Sequence, residues 1–131
     1  MNTADSGSVE TALTGLNILV VEDDYLVASE LASMLRDYGA QVIGPVPDSA
    51  RARRAVLDDS PDCVLLDVNL KGQLTFDLAK EVREQGVPLI FTTGYDTSFI
   101  PDALRAVPCL QKPIEVHDLV ERVRQQALLG V

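Results

Sequence analysis

Cys63-Val64-Leu65-Leu66-Asp67-Val68-Asn69 is the stretch on which the reading of the fold turns. Four apolar residues follow one another without alternation and end on an acid. An unbroken apolar run of this length suits a strand covered on both faces, and such strands belong to parallel sheets sandwiched between helices. The same form recurs upstream in Ile18-Leu19-Val20-Val21, which ends in Glu22-Asp23-Asp24. It recurs downstream in Leu89-Ile90-Phe91-Thr92, opened by Pro88 and ending in Thr93-Gly94-Tyr95. Two weaker runs complete the set: Val42-Ile43, broken by Gly44-Pro45, and Pro108-Cys109-Leu110-Gln111, ending in Lys112-Pro113.

Between these runs the apolar period becomes helical. Val27, Leu31, Met34, Leu35 and Tyr38 share a face, and Gly39 stops that helix. Asp48 is placed to cap a second helix with Ala52, Ala55 and Val56 on its inner side. After a loop containing Gly72, a third helix carries Leu78, Ala79 and Val82, and a last one carries Val116, Leu119, Val120, Val123 and Ala127. The segment 96–105 is a weaker fourth helix, with Pro101 in its middle and little apolar face. Strand and helix thus alternate five times. The expected fold is α/β, a doubly wound five-stranded parallel sheet with helices on both faces. Right-handed crossovers leave few topologies, and the flavodoxin-like order 2-1-3-4-5 is the expected one.

Met1 to Thr14 is rich in Ser, Thr, Ala and Gly and has no period. Residues 1–15 are therefore expected to be a flexible tail, and residues 16–131 one domain. A net charge of −9 would repel a phosphate backbone, so nucleic acid is not an expected partner. No apolar stretch approaches the roughly 20 residues of a membrane span, and no secretory signal is visible. Cys63 and Cys109 each sit inside an apolar run and read as buried free thiols. A cytoplasmic protein is expected.

Every strand of a parallel sheet ends at the same edge, and ligands bind there, where the strand order reverses. Glu22 and Asp23 end the first strand, Asp67 the third, Thr93 the fourth and Lys112 the fifth. The first and third strands are neighbours in the expected order, so three carboxylates crowd one cleft and repel one another. Hard oxygen ligands without His or Cys suit Mg²⁺. With the metal in place, a phosphoryl group on Asp67 finds Mg²⁺, the Thr93 hydroxyl and the Lys112 ammonium for its three oxygens. Phosphoryl transfer is catalysed mainly by such positioning and charge stabilisation. Each element has a blander reading. Acids after a strand often begin a helix; a lone Asp before a loop is often a turn residue; Lys-Pro is often a solvated lysine before a helix. Their joint occurrence, in order, at four strand ends is what points to chemistry.

These residues resemble the response-regulator receiver family from about Leu16 to Leu128. The resemblance lies in Leu19-Val20-Val21-Glu22-Asp23-Asp24, Val64-Leu65-Leu66-Asp67-Val68-Asn69, Phe91-Thr92-Thr93-Gly94 and Gln111-Lys112-Pro113. It implies that Glu22 and Asp23 are the acidic metal pair and Asp67 the phosphoacceptor. It also implies that Asn69 offers its backbone carbonyl to Mg²⁺, that Thr93 is the switch hydroxyl and that Lys112 is the family's lysine. The implied phosphodonor is a histidine kinase or a histidine phosphotransfer protein, and the downstream partner is unknown. Three residues before Lys112 the family usually has Tyr or Phe, whereas this chain has Cys109. The loop after Asp67, Asn69-Leu70-Lys71-Gly72, lacks the usual Met-Pro. Phe91-Thr92-Thr93-Gly94-Tyr95 resembles the FATGUY subfamily of single-domain receivers, which implies HWE-type kinases, stress signalling and a flexible fourth helix. Tyr95, two residues after Thr93, is either a ring that limits the approach of water to an acyl phosphate or a surface tyrosine packed on its loop.

Other classes fit less well. A haloacid-dehalogenase-type phosphatase wants a second Asp where Asn69 stands, and a larger chain. No glycine-rich phosphate loop follows a strand, which disfavours a nucleotide-binding fold. His117, the single histidine, is expected on an exposed helix face, and a zinc site is not expected. The alternative function is a phosphorylation-independent adaptor with a receiver fold. In either case the protein is expected to turn over no separate substrate.

Overall fold

The computed structural model describes residues 11–129. β1 (Asn17–Val21), β2 (Gln41–Val46), β3 (Cys63–Asp67), β6 (Leu89–Thr93) and β7 (Cys109–Gln111) form one sheet in the order β2-β1-β3-β6-β7. All four pairings are parallel. This is the expected 2-1-3-4-5 order. The helices are α1 (Tyr25–Asp37), α2 (Ser49–Asp59), α3 (Phe76–Glu84) and α4 (Val116–Leu129).

Successive side chains of a strand point to opposite faces, and the core divides accordingly. Leu19, Val21, Val64, Leu66 and Phe91 face a layer built from Ala52, Ala55 and Val56 of α2 and Leu78, Ala79 and Val82 of α3. Ile18, Val20, Cys63, Leu65 and Ile90 face Leu31 and Leu35 of α1 and Leu119 and Val123 of α4. Continuous apolar strands are thus required by helices on both sides. Asp24 caps α1 by accepting the backbone N–H groups of Leu26 and Val27, and Asp48 caps α2 by accepting that of Arg51.

Four local features depart from expectation. β2 runs through Gly44-Pro45 instead of ending there. Leu19 pairs with Ile43 but Val21 with Val46, so one extra residue is accommodated as a bulge on this edge strand. Gly44 has φ +85°, and a Cβ there would stand 2.7 Å from the Val46 nitrogen. The loop at Gly72 is a small antiparallel hairpin of β4 (Asn69–Leu70) and β5 (Gln73–Leu74). Lys71 and Gly72 make its turn with φ 52° and 84°, the left-handed pair that a tight hairpin demands.

The expected fourth helix is two 3₁₀ turns, Thr97–Phe99 and Asp102–Leu104. Pro101 cannot donate a helical hydrogen bond, and side chains take over that role. Arg105 donates Nε to the Ile100 carbonyl and Nη2 to that of Ser98, both at 2.9 Å, and Arg83 Nη1 donates to Ala103 at 3.2 Å.

The tail boundary also moves. Residues 11–15 are a turn packed on the domain: Leu13 is completely buried and its N–H donates to the Tyr38 carbonyl at 2.8 Å. The remainder of the expected tail, residues 1–10, lies outside the described residues. Among the described residues no helix is long and apolar enough to cross a membrane.

Candidate functional site

The carboxyl ends of β1, β3 and β7 deliver Glu22, Asp67 and Lys112 to one point. Lys112 Nζ lies 2.7 Å from Asp67 Oδ2 and 2.7 Å from Glu22 Oε1. The second oxygen of each acid is held by backbone: Asp67 Oδ1 accepts the N–H of Asn69 at 2.9 Å, and Glu22 Oε2 that of Asp24 at 3.0 Å. Asp23 Oδ2 accepts the N–H of Lys71 at 3.3 Å, which ties the first loop to the hairpin. Lys112 is joined to β6 through its own N–H, which donates to the Thr93 carbonyl at 2.7 Å. Glu22, Asp23, Asp67, Asn69 and Lys112 line one open cleft of about 300 Å³, with Tyr95 at its rim.

Burial sets the electrostatics. Glu22 is only 3% exposed. Loss of solvation raises its carboxyl above the ordinary range, the contacts with Lys112 and the Asp24 N–H oppose that, and the negative Asp67 adds to it. Burial pushes the Lys112 ammonium down, but the bonds to Asp67 and Glu22 outweigh it, and the net direction is upward.

One carboxylate oxygen each from Glu22, Asp23 and Asp67 lie within 4.8 Å of one another, a set able to hold a cation. Glu22 Oε1 is the telling atom. It is buried and lies 2.7 Å from the Lys112 ammonium, a partner that it shares with Asp67. One ammonium thus serves a cluster of three carboxylates, and a metal ion is a group that would offset the remaining charge. The donor set is oxygen throughout, which fits a hard divalent ion.

Thr93 is fully buried, and its hydroxyl is turned to the backbone, accepting the N–H of Tyr95 at 3.0 Å. The structure therefore brings Glu22, Asp23, Asp67, Asn69 and Lys112 together and leaves the Thr93 hydroxyl engaged beside them. Both readings of Tyr95 have a counterpart: it lines the cleft, 60% exposed, and its ring meets Phe99 edge-on at 6.4 Å. Asp24 is a helix cap, as the blander reading of the acid run has it. His117 is exposed. Cys63 is a buried free thiol whose desolvation pushes it up to about 12, and Cys109 is a half-buried free thiol against the core. Thr75 was not singled out by sequence. It is 2% exposed, and its hydroxyl donates to the Asp67 carbonyl at 2.7 Å.

The profile of the response regulator receiver domain matches residues 18–124. This chain belongs to that family. The receiver is 38% identical over 113 residues to the DNA-binding response regulator MtrA of Mycobacterium tuberculosis, covering 82% of this chain and 48% of MtrA. It spans about half the length of the curated relatives it matches. Among solved structures, SdrG from Sphingomonas melonis Fr1 is 33% identical with a TM-score of 0.74, covering 89% of this chain and 98% of SdrG. The receiver domain of PhyR from Erythrobacter litoralis is 28% identical with a TM-score of 0.73, covering 88% and 92% respectively.

Proposed function

We propose that this receiver takes a phosphoryl group on Asp67 in a Mg²⁺-dependent reaction and works as a relay or switch in two-component signalling. The observation that carries the reading is the convergence of Glu22, Asp23 and Lys112 on Asp67, three carboxylates sharing one ammonium in a largely buried cleft. Nothing in folding alone requires that cluster.

Glu22, Asp23, Asp67 and the backbone carbonyl of Asn69 would hold Mg²⁺. The ion, when bound, offsets carboxylate charge and offers a coordination position to a phosphoryl oxygen. The remaining work falls to the chain. A carboxylate oxygen of Asp67 attacks phosphorus of the donor phosphohistidine. The P–N bond breaks, its electron pair stays with the imidazole, and an acyl phosphate forms. Lys112 follows the charge from the carboxylate to a phosphoryl oxygen. Thr93 gives up the Tyr95 N–H and turns its hydroxyl to another, and this exchange is the step by which the 95–105 segment is informed. Hydrolysis returns Asp67 and inorganic phosphate. No separate substrate is turned over.

The donor is a histidine kinase or a histidine phosphotransfer protein. Phe91 to Tyr95 supports the FATGUY assignment and with it a kinase of the HWE type. Phosphorylation changes affinity for a downstream protein, or the receiver drains phosphoryl groups from the kinase, in the cytoplasm. Intact mass after incubation with Mg²⁺ and acetyl phosphate tests the reading. One Mg²⁺-dependent phosphoryl adduct is expected, absent in Asp67→Ala. No adduct, together with no Mg²⁺-dependent response to beryllofluoride, would favour the phosphorylation-independent adaptor.

A further inference from the structure

Thr75 occupies the N-cap position of α3, yet its side chain makes no capping hydrogen bond. Asp24 and Asp48, at the equivalent positions of α1 and α2, both do. A threonine at an N-cap ordinarily accepts a backbone N–H from the first helical turn and stabilises the helix by doing so. Thr75 points the other way. Its hydroxyl donates to the Asp67 carbonyl at 2.7 Å and lies 3.1 Å from that of Val68, while its own N–H donates to Val68 at 2.9 Å. All of this is sealed from solvent.

The site explains the exchange. Asp67 is the last residue of β3. Its side chain must keep one oxygen on the Asn69 N–H and the other on Lys112. Both contacts depend on the orientation of the peptide planes that flank its Cα. A donor clamped on the Asp67 carbonyl fixes the plane that follows, and the Thr75 N–H fixes the next. We infer that Thr75 is a positioning residue for phosphoryl transfer, acting through the backbone of Asp67; this rests on the reading of Asp67 as the phosphoacceptor. The hydroxyl faces backbone carbonyls and is sealed from solvent. It holds the nucleophile in line, and small losses of alignment lower rate steeply.

The test is the rate of phosphorylation by acetyl phosphate at saturating Mg²⁺, followed across donor concentration, for wild type, Thr75→Ser, Thr75→Val and Thr75→Ala. Thermal melts of each accompany it. Valine keeps the volume and removes the donor; serine keeps the donor and removes a methyl. The expected result is a maximal rate about tenfold lower in Thr75→Val and Thr75→Ala, an unchanged half-saturating donor concentration, and a rate within about twofold of wild type in Thr75→Ser. Should valine fail to fold, the serine and alanine pair decides. A wild-type maximal rate in the variants that lack the hydroxyl would overturn the inference, as would a serine variant as slow as alanine. Wild-type protein that takes no phosphoryl group would overturn the assignment of Asp67 instead.

Discussion

Glu22 shows how a single side chain can oppose the fold that holds it. Its carboxyl is raised by burial despite the help of Lys112 and the Asp24 N–H, so the folded protein binds that proton more tightly than the unfolded chain does. At neutral pH and without a cation, Glu22 therefore subtracts from stability. Glu22→Gln should raise the melting temperature in EDTA, because Lys112 retains Asp67 as its partner. It should also weaken Mg²⁺ binding by about tenfold or more, since even outer partners of a metal contribute on that scale. A melting point in EDTA that stays put or falls would contradict the first half, and unchanged calorimetric Mg²⁺ affinity the second. Most of these residues were legible in the sequence because each terminates an apolar run: Glu22, Asp23, Asp67 and Lys112 could be placed on one sheet edge by period alone. Thr75 could not, because a threonine before a helix reads as a cap whichever way its hydroxyl turns.

At the scale of elements, the segment after β6 has the most to say. Its carbonyls at Ser98, Ile100 and Ala103 are satisfied by guanidinium groups instead of helical N–H groups, while Ile100 and Leu104 hold it to the core. Arg105 thereby stabilises two short turns in place of one helix. Arg105→Ala should speed amide hydrogen exchange at Ile100, Leu104 and Arg105, whose N–H groups close these turns. Global stability should change little, by about 1 kcal/mol, because the guanidinium is half-exposed. Exchange that does not change would mean that the apolar anchors alone hold the segment. Pro101 announced a weak helix, but the arginine bonds reach back along the chain at no fixed period. The β2 bulge and the β4–β5 hairpin were hidden for a related reason: both depend on backbone register against a neighbour, and a Gly in the sequence marks only where a turn is allowed.

The whole molecule was the easiest level to read. Alternating apolar runs of two periods specify a parallel sheet between two helical layers, and handedness limits the strand order. The two layers emerge as separate halves of the core, one on each side of the same strands. The lower boundary was harder, since Thr11 to Gly15 carries a single large apolar residue and no period to betray it. Leu13 nonetheless belongs to the same buried cluster as Leu16, Leu35 and Val123. Leu13→Ala should cost about 2–5 kcal/mol in urea unfolding, the range for a fully buried leucine; a loss below that range would return the segment to the tail.

The buried leucine also marks where the module can be joined to anything else. A splice made at the first strand would cut away a piece of the core and leave a greasy hollow at the seam, whatever domain was fused there. Any junction has to spare Leu13, so a transplantable receiver is at least a turn longer than its sheet and helices suggest.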